Sequence, residues 1–194
     1  MPVSIKARGA DIHHWGRAPA TAAQVIAAGQ AADGLLAVSQ AMRHDMAVLG
    51  LPEAGIRVHH TGVDLDRFGA RDRAAAKAAY GVAGPLVVSL GALIPRKGHD
   101  IVVSAMASLP AATLLIAGEG PARAALTPQI ATLCLTDRVL LLGSVRPDDL
   151  PAFLGSADAM PLASASAALA NALVVASACF PPVALIAAAG PAAL

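Results

Sequence analysis

Residues 85–118 read PLVVSLGALIPRKGHDIVVSAMASLPAATLLIAG, and this stretch gives the clearest indication of the fold. Two short apolar runs end in glycine, at Gly91 and at Gly118, and a segment with helical spacing of its apolar residues lies between them. Continuous apolar runs that alternate with amphipathic helices are typical of βαβ units, whose parallel sheet is covered by helices on both faces. We therefore predict an α/β fold.

The same alternation continues outward from this stretch in both directions. Downstream, further strands are expected at 139–143, 159–163 and 183–186, with helices at 122–133, 149–157 and 170–179. Upstream, the weaker pattern predicts strands at 3–7, 34–38 and 56–59 and helices at 20–32 and 40–49, the second capped by Ser39. The helix of the central stretch is expected to bury Ile101, Val102, Ala105, Met106 and Leu109. A polar stretch follows Phe68, so we predict domains at 1–68 and 69–194.

The composition limits the classes of protein to which this chain can belong. Its formal net charge is +1, which argues against a nucleic-acid partner held mainly by charge, because phosphate neutralisation needs a clear basic excess. The two cysteines, Cys134 and Cys179, lie in apolar runs and are expected to be buried thiols of a reducing compartment. The N-terminus lacks the continuous apolar stretch of a secretory signal, so we predict a cytoplasmic protein.

No charged residue follows Asp158. The segment 162–180 within this tail has the length of a membrane span, but it consists mostly of alanine and serine, which supply little transfer free energy. We therefore do not expect it to cross a membrane. Peripheral association with a membrane and self-association through exposed apolar surface both stay open.

Ligands of parallel α/β sheets bind beyond the carboxyl ends of the strands. The loops at those ends follow Gly91, Gly118, Gly143 and Ala163. The first loop contains Arg96 and Lys97 just before a predicted helix. Two adjacent cations beside a glycine, together with the partial positive charge of a helix N-terminus, suit a diphosphate. A solvated basic turn is the alternative interpretation of the same residues.

Three other patterns carry weaker information. The segment GEGPAR at 118–123 is similar to a dinucleotide-binding fingerprint, but the third glycine is absent, so a tight turn is preferred and no cofactor is predicted. The pairs His13-His14 and His59-His60 do not predict a metal site, because adjacent side chains of an extended chain point to opposite faces. Arg8 and Asp11 follow the first strand, where they either serve a site or pair with each other.

Taken in order, the motifs of this chain resemble the large group 1 family of retaining glycosyltransferases with the GT-B fold. The segment TGVDLDRF at 61–68 is similar to the family's interdomain segment, and 91–98 is similar to its donor-binding loop. Further motifs fall at family positions and in family order: AVS at 37–39, IAGEGP at 116–121, DRVLLLG at 137–143 and AD at 157–158.

The resemblance implies two Rossmann-like domains with a nucleotide-sugar donor in the cleft between them. It also implies transfer of the sugar to an acceptor, with retention of configuration and without a metal. Lys97 would hold the diphosphate, next to Gly91 of the donor loop. The family's partner arginine is replaced here by Ala92, with Arg96 nearby.

The same resemblance assigns the remaining site residues. Gly143, Val145 and Arg146 belong to a loop that would meet the base through its backbone groups. Asn171 falls at a donor-side position of the family's second domain. Arg8, in the first domain, would lie beside the reacting sugar and is the candidate catalytic residue.

The chain departs from the family in its tail. Asn171, Cys179 and Pro182 fix the register, which puts Ala167 and Val175 at the positions of the two family glutamates. One glutamate lies near the transferred sugar and the other binds the ribose hydroxyls, contacts that alanine and valine cannot make. The family's first strands and final helices have no counterpart here, so we predict a partial N-terminal domain, a truncated C-terminal domain and no turnover by this chain.

Two alternatives stay open beside the glycosyltransferase. A non-catalytic relic or fragment would retain nucleotide binding or a partner surface and would give no donor hydrolysis or transfer. A nicotinamide-dependent or other nucleotide enzyme would need a complete glycine-rich fingerprint.

Overall fold

The computed structural model describes residues 1–163, 171–179 and 182–185. The chain divides into two compact units, Met1–Gly62 and Val63–Leu194. Both units contain parallel strands joined by helices, which confirms the predicted α/β fold.

The first unit is built on three parallel strands in the order β1-β2-β3: β1 Ser4–Ala7, β2 Gly34–Ala37 and β3 Ile56–Val58. A π-helical turn, Asp11–Trp15, and helix α1, Ala22–Ala31, connect β1 to β2. Helix α2, Gln40–Val48, follows β2, and a 3-10 turn, Glu53–Gly55, precedes β3. The Ser39 hydroxyl accepts a hydrogen bond from the Met42 amide at 3.1 Å, so the predicted cap of α2 is confirmed.

In its described residues, the second unit contains five parallel strands: β4 Leu86–Leu90, β5 Thr113–Ala117, β6 Val139–Gly143, β7 Met160–Leu162 and β8 Val183–Leu185. Strands β4, β5 and β6 pair in that order, β7 pairs with β8, and a bridge between Val87 and Ala159 joins β4 to β7. The helices are α3 Arg73–Ala78, α4 His99–Ala105, α5 Arg123–Thr132, α6 Leu150–Gly155 and α7 Asn171–Ala178. Two 3-10 turns, Pro95–Lys97 and Met106–Ser108, flank α4.

Each unit has its own apolar core. In the first unit, alternate strand residues such as Leu35 and Ile56 are buried with Met42 and Met46 of α2. In the second unit, two clusters of buried residues form two apolar layers. One contains Val103, Met106, Leu114, Ile116 and Leu126, and the other contains Leu86, Val88, Leu115, Phe153 and Ala176. Removal of this apolar surface from water is the main force that holds the strands and helices together.

Residues 63–68 lie in the second unit, although the sequence placed the domain boundary after Phe68. The Phe68 ring packs against the core cluster that contains Phe153. The Arg67 guanidinium donates from Nη2 to Asp148 Oδ1 at 2.9 Å. These contacts attach the segment to the second unit, and the bond between Arg67 and Asp148 joins residues 81 positions apart.

The predicted buried face of α4 is wrong for three of its five residues. Ile101, Ala105 and Leu109 are exposed, whereas the buried residues are His99, Val102, Val103 and Met106. The buried set follows a spacing of three and four residues that starts at His99. The predicted face did not include His99 and is therefore rotated towards Ile101.

In the described part of the chain, no helix is both long enough and apolar enough to cross a membrane. Of the predicted candidate span 162–180, residues 164–170 and 180 lie outside the described residues. Ala167, at the first family glutamate position, is among them.

Candidate functional site

Three strand-to-helix loops of the second unit approach one another at the carboxyl edge of its sheet. Gly91 follows β4, Gly118 follows β5 and Gly143 ends β6. The Gly91 amide donates to the Ala117 carbonyl at 3.0 Å, and the Gly118 amide donates to the Gly143 carbonyl at 2.8 Å. A Cβ atom on Gly118 would collide with the Gly91 carbonyl oxygen. Glycine at position 118 thus lets the first two loops pack backbone against backbone at this edge.

Gly98 brings the turn Pro95–Lys97 against the end of β7. It has a φ of 67°, in the left-handed region, and a Cβ atom there would collide with the Ala163 carbonyl oxygen. Conformation and space thus both call for glycine at this position. Through this contact a second strand end, that of β7, supports the turn that carries Arg96 and Lys97.

Lys97 lies half-buried beside Gly91. A Cβ atom built on Gly91 would be 3.7 Å from Lys97 Cδ and 3.8 Å from Lys97 Cε, so the lysine stem lies over the glycine. Burial lowers the pKa of Lys97, and the neighbouring charge of Arg96 lowers it further. Within the described residues, no carboxylate forms an ion pair with Lys97. A partly desolvated cation without a counter-charge favours the binding of an anion.

His99 lies beneath the same loop and is 4% exposed. Its Nδ1 is 2.9 Å from Ser89 Oγ, a hydroxyl that is itself buried on β4. Its Nε2 is buried and has no hydrogen-bond partner in the described part of the chain, and it lies 3.8 Å from a Cβ atom built on Gly91. Burial lowers the pKa of the imidazole; the backbone of Ala92 opposes this shift and the Lys97 charge adds to it.

The loop after β6 offers backbone groups. Val145 anchors it, because its side chain packs against the core cluster that contains Phe153. The amides of Ser144 and Val145 donate no hydrogen bond to any residue that the structure describes. Arg146 is exposed, and its Nε lies 3.9 Å from Asp149 Oδ2. The arrangement suits recognition of a ligand by main-chain atoms, with Arg146 at the rim.

In the first unit, Asp11 binds the backbone of the loop that carries Arg8. Its carboxylate accepts from the Arg8 amide at 2.9 Å and from the Gly9 amide at 2.7 Å. The side chains of Arg8 and Asp11 form no ion pair among the described residues, and Arg8 is exposed. Asp11 is therefore a structural residue of this loop, and Arg8 stays a predicted site residue.

The two residues of each histidine pair make different contacts, and His13 and His14 lie in the π-helical turn rather than on the extended chain that the sequence analysis assumed. His13 Nε2 lies 2.8 Å from Asp45 Oδ2, while His14 stacks edge-on against Trp15. His59 Nδ1 lies 2.9 Å from Lys6 Nζ, and His60 Nδ1 lies 3.1 Å from the Val38 carbonyl oxygen. Across the described ranges, no three histidine, cysteine or acidic residues are grouped so that they could hold a metal ion.

Two predicted positions of the C-terminal tail, Asn171 and Val175, lie in the described helix α7. Val175 lies in α7, partly buried, and packs against the core cluster of Phe153. Asn171 is the first residue of α7, but its side chain lies outside the described part of the structure.

The sequence profile of the family described as "Glycosyl transferases group 1" matches residues 71–194, which is more than half of the chain. This chain belongs to the group 1 glycosyltransferases. The resemblance that the ordered motifs predicted is thus confirmed.

Two proteins similar to this group 1 glycosyltransferase are mycobacterial. The GDP-mannose-dependent alpha-(1-6)-phosphatidylinositol monomannoside mannosyltransferase of Mycolicibacterium smegmatis is 32% identical over 164 residues, which cover 80% of this chain and 43% of that protein. The D-inositol 3-phosphate glycosyltransferase of Mycobacterium bovis is 36% identical over 149 residues, which cover 73% of this chain and 31% of that protein. The chain therefore spans less than half the length of these relatives.

Solved structures confirm the fold of this glycosyltransferase. Anabaena HepE in complex with UDP and glucose matches with a TM-score of 0.86 and 22% identity, over 95% of this chain and 52% of that one. Sucrose-phosphate synthase from Thermosynechococcus elongatus matches with a TM-score of 0.80 and 22% identity, over 94% and 49% of the two chains. The parallel Rossmann-like sheets are thus those of GT-B glycosyltransferases.

The sequence analysis of this glycosyltransferase missed two residues at the donor loop, His99 and Ser89. A signal was present, because Ser89 is the only polar residue in the apolar run LVVSL of β4. A hydroxyl in a strand buried on both faces needs a hydrogen-bond partner. The partner is the histidine that opens the following helix.

Proposed function

We propose that the second unit binds the nucleoside-diphosphate part of a nucleotide-sugar donor at the carboxyl edge of its sheet. We also propose that the whole enzyme of this type transfers the sugar with retention. Lys97 is the observation that carries donor binding: it is half-buried beside the bare backbone of Gly91 and has no carboxylate partner in the described residues. A diphosphate supplies the negative charge that this position lacks.

The class of ligand has support from similar proteins. Anabaena HepE was solved with UDP and with UDP-glucose, and the Mycolicibacterium smegmatis relative depends on GDP-mannose. We assign the nucleoside base to the loop after β6, because the amides of Ser144 and Val145 are unbonded in the described structure. Gly143 precedes them with a φ of 77°, and the Glu119 carboxylate lies over it, where a Cβ atom would come within 2.8 Å of Glu119 Oε1.

The chain itself is expected not to transfer sugar. Valine at position 175 packs in an apolar cluster, where it offers no acceptor to a ribose hydroxyl. Alanine at position 167 likewise offers no carboxylate near the transferred sugar. Removal of a polar contact made in the transition state typically costs about 3 kcal/mol or more. Val175 therefore favours the second candidate function, a chain that binds nucleotide without turnover.

Isothermal titration calorimetry with UDP and with GDP tests donor binding. Lys97→Ala removes one charge-assisted contact worth about 1.5–3 kcal/mol, so the affinity is expected to fall about 10- to 100-fold. Arg73→Ala is the matched control, since it also removes one positive charge from the second unit. The Arg73 guanidinium lies 3.7 Å from the carboxylate of Asp158, which accepts a hydrogen bond from Leu86, the first residue of β4. Arg73 is therefore at the amino end of the strands, opposite to the carboxyl end where Lys97 lies. Equal affinity of the native chain and Lys97→Ala for these nucleotides would contradict the proposal.

Radiolabelled UDP-glucose and GDP-mannose test turnover. We expect neither hydrolysis nor transfer above the rate in buffer, with a full-length relative as the positive control. Release of labelled sugar by the native chain would show that Ala167 and Val175 do not abolish catalysis. The anomeric configuration of any product, read by proton NMR, would then decide between retention and inversion.

A further inference from the structure

Two nitrogen donors at the donor loop lack acceptors within the described residues. One is the Lys97 ammonium, and the other is Nε2 of His99, which is buried to within a few per cent of its surface. The Lys97 stem and the His99 ring both lie next to Gly91: a Cβ atom built there would be 3.8 Å from both Lys97 Cε and His99 Nε2. A buried polar group without a partner needs an explanation, since such groups are nearly always paired in folded proteins.

The tautomer of His99 follows from its other nitrogen. Ser89 is 3% exposed, and its Oγ has no hydrogen-bond partner other than His99 Nδ1 among the described residues. A buried hydroxyl donates its proton where an acceptor exists, so Ser89 O–H donates to Nδ1 and the ring proton lies on Nε2. His99 is thus a neutral donor that faces the glycine.

We propose that His99 is a second phosphate-binding residue, whose Nε2–H donates to a phosphoryl oxygen held by Lys97 over Gly91. This inference rests on the proposed binding of a nucleoside diphosphate at Lys97. Two neighbouring nitrogen donors without an acceptor in the described residues suit an anion, and Gly91 places no side chain between them. Because Nε2 is buried in the present structure, the proposal requires neighbouring side chains to move when the phosphate binds.

Paired substitutions separate contact from packing. His99→Gln keeps a nitrogen donor near the position of Nε2, whereas His99→Leu keeps the bulk and removes the donor. We expect His99→Gln to bind UDP and inorganic pyrophosphate within about threefold of the native chain, and His99→Leu to bind about tenfold more weakly or worse. His44→Leu, on the exposed surface of α2, is the matched control. Circular dichroism establishes that each variant is folded.

Nitrogen-15 NMR of histidine-labelled protein supplies a readout that packing alone would not change. The His99 resonances are assigned by their loss in His99→Gln, and the native Nε2 signal is expected to shift on addition of pyrophosphate. A folded His99→Leu that binds pyrophosphate as tightly as the native chain, or a Nε2 signal that does not move, overturns the inference.

The two probes distinguish this inference from the proposed function. If pyrophosphate binds through Lys97 and His99 but neither UDP nor GDP binds, the proposed function fails and the His99 assignment stands. If UDP binds and Lys97→Ala weakens it while His99→Leu does not, only the His99 assignment fails. If neither pyrophosphate nor nucleotide binds the native chain, both are overturned.

Discussion

Gly98 shows how one residue sets the position of the donor loop. In Gly98→Ala, the alanine backbone must adopt a left-handed conformation, and the added Cβ atom collides with the Ala163 carbonyl oxygen. We expect it to lower the free energy of unfolding by about 2–3 kcal/mol, measured by urea denaturation. Gly81→Ala is the matched control: Gly81 has nearly the same φ, 68°, but nothing lies within 4 Å of its Cβ position.

The difference between the two variants isolates the close approach of the loop to β7. Gly81→Ala carries only the conformational cost, about 1 kcal/mol. If Gly98→Ala lowers the free energy of unfolding no more than Gly81→Ala does, the contact with Ala163 does not hold the loop. The conclusion that β7 supports the turn that carries Lys97 would then be wrong.

Single residues also show which parts of the site can be predicted from sequence. Lys97 could be found because a cation between a glycine and a helix is a local pattern. His99 could not be found in the same way, because its role depends on Ser89, ten positions earlier on the neighbouring strand, and on the shape of the Gly91 backbone. Contacts of this kind are set by packing, which no local spacing encodes.

Among the elements, Asp158 ties helix α3 to the first residues of β4 and β7. Its Oδ2 accepts from Lys77 Nζ at 2.7 Å and from the Leu86 amide at 2.7 Å, and Arg73 lies 3.7 Å away. Burial acts to raise the pKa of this carboxyl, but the hydrogen bonds from Lys77 and Leu86 outweigh it and hold the pKa below its ordinary value. The carboxylate therefore stabilises the fold only while it is ionised.

Asp158→Asn tests this link through the pH dependence of stability. A lowered folded-state pKa gives stability that is present above the unfolded pKa, about 3.9, and is lost as the pH falls through the folded value. Near pH 7 we expect the free energy of unfolding of the variant to be lower than that of the native chain by on the order of 1 kcal/mol, a value that allows for the partial exposure of Asp158. This difference in stability is expected to disappear below about pH 4, where the carboxyl becomes protonated. Asp137→Asn, an exposed carboxylate, is the control. A difference in stability that stays constant from pH 7 to pH 3 would contradict a stabilising role of the ionised carboxylate.

The sequence predicted where the strands lie, but it did not predict which face of helix α4 is buried. The central strands of the second unit, β4, β5 and β6, are short, mostly apolar runs that end in or next to glycine, and that signal is local. Helix α4 offers apolar residues on two overlapping faces, and only seven residues define it. Val103 and His99 decide the face, because they contact the sheet.

At the scale of the whole molecule, the ordered motifs identify the family, but the division into units depends on distant contacts. Arg67 and Phe68 lie close in sequence to the first unit and pack with residues of the second. Of the predicted site residues, Arg8 lies in the first unit and Lys97 in the second. Because the chain spans 43% and 31% of two mycobacterial relatives, the acceptor and any partner of the whole enzyme stay proposals.

The outer edge of the second sheet predicts self-association. Among the described strands, β6 pairs only with β5; on its other edge the Val139 amide donates to Leu135 and the Leu141 carbonyl accepts from Arg123, and no strand covers that edge. Leu140 and Leu142 on this strand are 41% and 38% exposed. An apolar, uncharged edge strand is a template for pairing with a second chain, and a lysine on such an edge opposes the pairing. We therefore expect the native chain to form dimers or larger species through β6.

Sedimentation velocity over a range of concentrations tests this expectation with Leu140→Lys. Loss of the leucine contact and repulsion between the new charges are expected to raise the dissociation constant of the assembly about tenfold or more, towards monomer. Val48→Lys is the control, because Val48 is 74% exposed and lies on helix α2 rather than on a strand edge. If Leu140→Lys and Val48→Lys shift the assembly equally, general charge and not the β6 edge controls it. A native chain that stays monomeric at every concentration would show that this edge does not pair.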